Sequence, residues 1–141
     1  MIRFASFVAG LMLLASTAQS QDNTKLQVTI RVPASIDSFQ NQRLITLLAK
    51  QDTSGEGRDL VVDRQIDEKV SHTKGKDTII KVAIGNKEKF TPGVHHKLIV
   101  HVMTPTGKRT LIGEREGSAG PIFVQSGNLP KNLLVVLRTE K

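Results

Sequence analysis

Four histidines, a serine between glycines and several grouped carboxylates are the residues of this chain whose types could do chemistry. His95 and His96 are adjacent, so on a strand they point to opposite faces. His101 shares a face with His95, but about 20 Å further along an extended chain. A metal ion needs three or four ligands converging within bonding distance, and this spacing does not supply them. His72 stands in a separate stretch, His72-Thr73-Lys74-Gly75-Lys76, which reads as a loop. The histidines are therefore expected as ordinary exposed or half-buried side chains, with no metal. Gly117-Ser118-Ala119-Gly120 lacks the Gly-x-Ser-x-Gly order that aims a nucleophile at the top of a strand–turn–helix. Asp63, Asp67 and Glu68 alternate with Arg64 and Lys69, and Glu114 and Glu116 flank Arg115. That mixture suits a solvated charged surface better than an acid/base pair. The chain holds no cysteine, which removes thiol nucleophiles and thiolate metal sites. No nucleophile–base or metal constellation is left, so the expectation is a protein that is not an enzyme and carries no cofactor.

The elements that would position any site are strands. Leu26, Val28, Ile30 and Val32 alternate with Lys25, Gln27, Thr29 and Arg31, the period-two pattern of a strand with one wet face. Pro33 ends it, having no N–H for the ladder. Further strands are expected over about 43–51, 59–67, 78–84, 97–103, 108–114, 122–125 and 132–138. In the third of these Leu60, Val62 and Ile66 share a face. Turn residues separate the strands: Ser54-Gly55-Glu56-Gly57, Gly85-Asn86, Thr91-Pro92-Gly93 and Thr104-Pro105-Thr106-Gly107. The stretch from Ser35 to Gln42 is expected as a loop. No amphipathic helix pattern is visible after the first twenty residues. Seven or eight short strands with turns between them predict an all-β fold, a single-domain antiparallel β-sandwich.

The first twenty residues read differently. Arg3 precedes an apolar stretch, Phe4 to Ala15, and small residues Ser16-Thr17-Ala18-Gln19-Ser20 lead into polar Gln21-Asp22-Asn23. That is the order of a cleavable signal peptide. Ala18 and Ser20 fit the small pockets of a signal peptidase, which sets the cut after Ser20, with Ala18 as the alternative. The apolar stretch is shorter than the roughly 20 residues a membrane helix needs. The reading is thus 1–20 signal peptide and 21–141 β-domain, exported, periplasmic or secreted, soluble, with no integral membrane segment after cleavage. An exported chain without cysteine must hold together by packing alone.

Charge and aromatic content bound the partners. The chain carries +7. Such a balance favours an anionic surface, so a basic protein binding polyanions or the envelope surface is one reading. Lys74-Gly75-Lys76 and Lys87-Glu88-Lys89 are the basic loops concerned. Nucleic acid is not expected, because export separates the protein from it and three phenylalanines (Phe39, Phe90, Phe123) make a poor stacking platform. Three strands are apolar on both faces: Leu44 and Leu48 against Ile45 and Leu47; Leu98, Val100 and Val102 against Ile99 and Met103; and Leu133, Val135 and Leu137 against Leu134 and Val136. Sandwich layers cover one face of each sheet. The second face is covered by a loop, a second copy or a partner, or consists of tolerated surface aliphatics. Ile45, Leu47, Ile99, Met103, Leu134 and Val136 are the candidate partner-binding surface.

Several of these segments together resemble the YbaY/YscW family of small envelope lipoproteins, which includes pilotins of type III secretion. Val32-Pro33-Ala34-Ser35 resembles the family's "V-P-A-S" step after the first strand, and Leu44-Ile45-Thr46-Leu47-Leu48 its "L-x-V-x-L" strand. Phe90-Thr91-Pro92-Gly93-Val94-His95-His96 resembles the segment "I-x-P-x-x-x-Y", and Pro121 to Gly127 is similar to "P-V-x-x-x-G". The resemblance implies a β-sandwich without enzymatic activity. It also implies a chaperone-like binding role: pilotin members hold a segment of an outer-membrane secretin and guide it to the membrane. The family's lipid-modified cysteine is missing here, where Leu14-Ala15-Ser16-Thr17 stands in its place. The function expected is a non-enzymatic exported module holding a segment of an envelope or secretion-system protein.

Overall fold

The computed structural model describes residues 25–52, 54–55 and 57–140. The signal-peptide reading lies outside these residues. Eight strands follow one another: β1 Leu26–Val32, β2 Phe39–Lys50, β3 Leu60–His72, β4 Thr78–Ile84, β5 His95–Met103, β6 Arg109–Arg115, β7 Ile122–Gln125 and β8 Leu133–Thr139. A single turn of 3-10 helix, Ser126–Asn128, is the one helical piece among the described residues. The all-β expectation holds. β2 begins four residues early and takes in part of the expected loop before it. β3 runs on to His72, which the sequence had assigned to a loop.

The two layers of the expected sandwich are parts of one sheet. The strand order is β3-β2-β5-β6-β8-β1-β4, with β7 paired to β5 beside β6. The pairs are antiparallel except β1–β8, which is parallel. β5 is the pivot, with β2 along one edge and β6 and β7 dividing the other. The sheet curls until its end strands, β3 and β4, come alongside each other, giving an almost closed barrel.

The alternation of side chains decides what is inside. Leu26, Val28, Ile30 and Val32 of β1, Leu98, Val100 and Val102 of β5 and Leu133, Val135 and Leu137 of β8 are all buried. Each fully buried Leu, Ile or Val contributes about 1.5–3 kcal/mol. Register keeps these residues on one face: Ile30 stands between Ile80 of β4 and Val135 of β8. At Gly113 of β6 the wall is tightest. A Cβ there would lie 2.7 Å from Val135 Cγ1 and 2.8 Å from Val100 Cβ. Only glycine lets β6 approach that closely.

Candidate functional site: a seam between the end strands

β3 and β4 follow each other in sequence, joined by the turn 73–77, but no ladder joins them among the described residues. They are the two ends of the strand order, each with one edge unpaired among the described residues. The gap is tied at both ends. At the turn, the His72 ring bridges β3 and β4. Its Nε2 lies 3.2 Å from the carbonyl of Ile36, which can only accept, so Nε2 carries the proton and Nδ1 accepts from Thr78 Oγ1 at 2.7 Å. At the far end Gly85 N–H donates to Asp63 Oδ2 at 2.7 Å. Gly85 has φ +74°, and a Cβ there would meet the Phe90 ring at 2.5 Å, so this tie also requires glycine.

Between the ties lies a cleft of about 400 Å³. Its floor is Leu44 and Thr46 of β2, one wall is 65–68 of β3, and the other is 80–83 of β4. The reason for the gap is chemical. Register sets Gln65 opposite Thr46 and Asp67 opposite Leu44. Thr46 and Leu44 face the core, so Gln65 and Asp67 take the core-facing positions of β3. Closing the wall over a carboxylate and an amide would strip them of water at a cost of several kcal/mol. β3 stays apart, and both side chains are exposed. Three register shifts in the β2–β3 ladder bend the strand away, one of them between Leu48 and Ala49. That shift also explains why Leu60, Val62 and Ile66 do not form one buried face. Val62 packs against the core, while Leu60 and Ile66 are 65% and 46% exposed.

Two observations make the cleft more than a surface groove. Thr46 is 1% exposed, and its hydroxyl has no hydrogen-bond partner. Ile66 of β3, which lines the cleft, is 46% exposed. An unsatisfied hydroxyl of this kind costs about 1–3 kcal/mol.

The residues singled out in the sequence are scattered. His95 is exposed and bonds Gln125 at 3.1 Å, while His96 behind it is fully buried, as the alternation required. His96 Nδ1 donates to the Val94 carbonyl at 3.1 Å and Nε2 accepts Thr91 N–H at 3.2 Å. Burial holds its pKa below the usual 6.5. His101 is held low mainly by burial and then by Arg109. Glu114 pairs with Arg138 at 2.6 Å and Glu116 with Arg31 at 3.6 Å. The Ser118 amide closes a turn onto Arg115. Among the described residues no three His, Asp or Glu side chains gather as metal ligands, and no helix is long and apolar enough to cross a membrane.

The six candidate aliphatics are all half-buried. The fold brings some of them together. Leu47 and Ile99 are direct cross-strand partners, and Ile45 lies in a row with Ile66, His101 and Ile112 across four strands. Met103 pairs with Arg43 at the end of that face. Leu134 and Val136 are apart from it on β8, between Thr29 and Arg31 on one side and Glu114 on the other. A loop covers part of the outer face, since Gly120 and Pro121 border the same hollow as Ile99 and Ile112. The seam itself had a sequence signal, the polar residues Gln65 and Asp67 inside a strand, but it became readable only once the register was known.

No family model and no curated protein matches the sequence. Among solved structures, the fold is similar to that of an alternative pilotin from the type II secretion system of Vibrio cholerae. The TM-score is 0.52 over 82% of this chain and 97% of that one, at 9% identity. At that identity the likeness concerns the fold.

Proposed function

We propose that this protein is a non-enzymatic, pilotin-like module of the cell envelope. It holds a segment of a secretion-system protein, with an outer-membrane secretin as the leading candidate. The observation that carries the reading is the seam: a wall of the barrel left open over core residues, with free strand edges on both sides. Exposed edges invite pairing with another chain, and soluble domains ordinarily blunt or cover them. The fold likeness to a pilotin and the YbaY/YscW-like segments point to the same class of partner. Export and a periplasmic location belong to this proposal, as does the absence of catalysis.

The test is genetic and biochemical. Deleting the gene is expected to lower the amount of heat-resistant secretin multimer in the outer-membrane fraction, and the intact gene is expected to restore it. Unchanged multimer in a strain that makes a secretin would reject the reading. A photo-crosslinker at Ile66, which lines the cleft, is expected to capture the partner, and one at Leu134 is expected to stay free. The opposite pattern would move the binding surface to the outer sheet face.

A further inference from the structure

A second hollow, which shares no lining residue with the seam, lies where β6 and β7 part beside β5. β5 pairs with β6 over His101 to Met103 and with β7 over His95 to Leu98, so the two strands diverge along one of its edges. Ile122 and Val124 of β7 are buried, which leaves Phe123 and Gln125 the outer positions. Phe123 is 43% exposed. The register sets His95 opposite Gln125. Gln125 Nε2 donates to His95 Nε2 at 3.1 Å, and the His95 ring stands edge-on to Phe123 at 6.3 Å and 80°. These contacts steady both the phenyl ring and the amide. The turn Ser126–Asn128 brings Asn128, and the end of β6 brings Arg115, to the same hollow of about 340 Å³. That size lies at the small end of ligand sites.

The lining holds one guanidinium and no carboxylate. Both acids that flank Arg115 are engaged elsewhere, Glu114 with Arg138 and Glu116 with Arg31. Arg115 has no carboxylate partner among the described residues. An unpaired guanidinium beside an exposed aromatic ring and two amides complements a ligand that is anionic at one point, apolar on one face and polar around its rim. A bare phosphate leaves the Phe123 ring unused. An acyl chain leaves Gln125 and Asn128 unused. A sugar ring has an apolar C–H face and a rim of hydroxyls, and a carboxylate on that ring matches the fork of an arginine. We propose that the hollow between β6 and β7 binds an acidic saccharide, its ring stacked on Phe123, its hydroxyls bonded to Gln125 and Asn128, and its carboxylate held by Arg115. This site stands apart from the seam and does not depend on the binding role proposed above.

An NMR titration of the intact protein tests it with three probes: a short oligomer of galacturonic acid, the same oligomer with its carboxylates methyl-esterified, and citrate. The oligomer is expected to bind and to shift the amide signals of Phe123, Gln125 and Asn128. The ester is expected to bind about tenfold more weakly, because it loses the charge-assisted pair with Arg115. Citrate, which has carboxylates but no ring, is expected not to bind. Phe123→Ala is expected to weaken oligomer binding about tenfold. Arg115→Gln is expected to bring acid and ester to equal affinity. Both side chains are exposed, so the melting temperature is expected to stay unchanged in either variant. Lys74→Gln with Lys76→Gln, in a basic loop outside the hollow, is expected to leave oligomer binding as it is. Binding that falls as far in this double variant as in Arg115→Gln would assign the affinity to net charge and overturn the proposal. Equal binding of acid and ester by the parent protein overturns it, and so does absence of oligomer binding.

Discussion

The closed wall and the seam use the same strand geometry with opposite contents. In β1 and β8 the buried core-facing positions are all aliphatic, as they are in β5 apart from His96, and strands on either side seal against one another. In β3 the corresponding positions opposite Leu44 and Thr46 are Asp67 and Gln65, and the strand stands off. The comparison teaches that two polar residues at inward positions are enough to hold a barrel open. The neighbouring strand β4 does not cause the opening. Its Ile80, Val82 and Ile84 align with Ile30, Val28 and Leu26 like any core strand.

The largest effects are expected where the closed wall is disturbed. Ile30→Ala removes a side chain with no exposed surface and is expected to cost about 3–4 kcal/mol in chemical denaturation. Ile66→Ala, at the seam, is expected to cost less than about 1 kcal/mol. Gly113→Val forces a branched side chain against Val100 and Val135 and is expected to cost about 3 kcal/mol. Adding volume at Ala83, on the rim of the cleft, is expected to be tolerated to within about 0.5 kcal/mol. Similar losses at Ile30 and Ile66 would mean that the seam is packed shut in solution.

Much of the closed wall was readable in advance, because strict alternation from Leu26 to Val32 and from Thr78 to Ile84 needs no knowledge of partners. The strand spans there are reproduced to within a residue at each end. The edges were harder. Ser35 to Gln42 looked like a loop because Asn41, at φ +53°, and a register shift interrupt β2. The faces of β3 could not be assigned from period two alone, since one extra residue at a bulge exchanges inside for outside. Leu60 and Ile66 therefore looked like core and lie on the surface. The candidate aliphatics are half-buried, but which of them are neighbours depends on strand order, and alternation carries no information about strand order. The seam is a property of two strands that do not pair, which no local pattern records.

Acid is expected to act on the closed side of the molecule. His96 is buried under Phe90, at 5.1 Å between rings, and its native pKa lies below that of the unfolded chain. The unfolded state therefore takes up a proton first as the pH falls. The stability this group supplies is complete above about pH 6.5 and declines below it. His101 acts with the same sign. Between pH 7.5 and 5 the melting temperature is expected to fall. His96→Phe is expected to be less stable at pH 7.5 and to show a shallower decline. A decline of unchanged steepness in both His96→Phe and His101→Asn would assign the acid sensitivity elsewhere.

The smallest expected effect sharpens the contrast most. Thr46 sits in the seam floor, where every other fully enclosed position on β2 is apolar. Valine has the same shape without the hydroxyl, so Thr46→Val removes a buried polar group that has no partner and leaves the packing intact. The variant is expected to be as stable as the parent or about 0.5–1 kcal/mol more stable, by denaturant titration. A loss of 1 kcal/mol or more in the isolated Thr46→Val domain would mean that the hydroxyl already has a partner, and the seam would then be a finished surface with no place reserved in it.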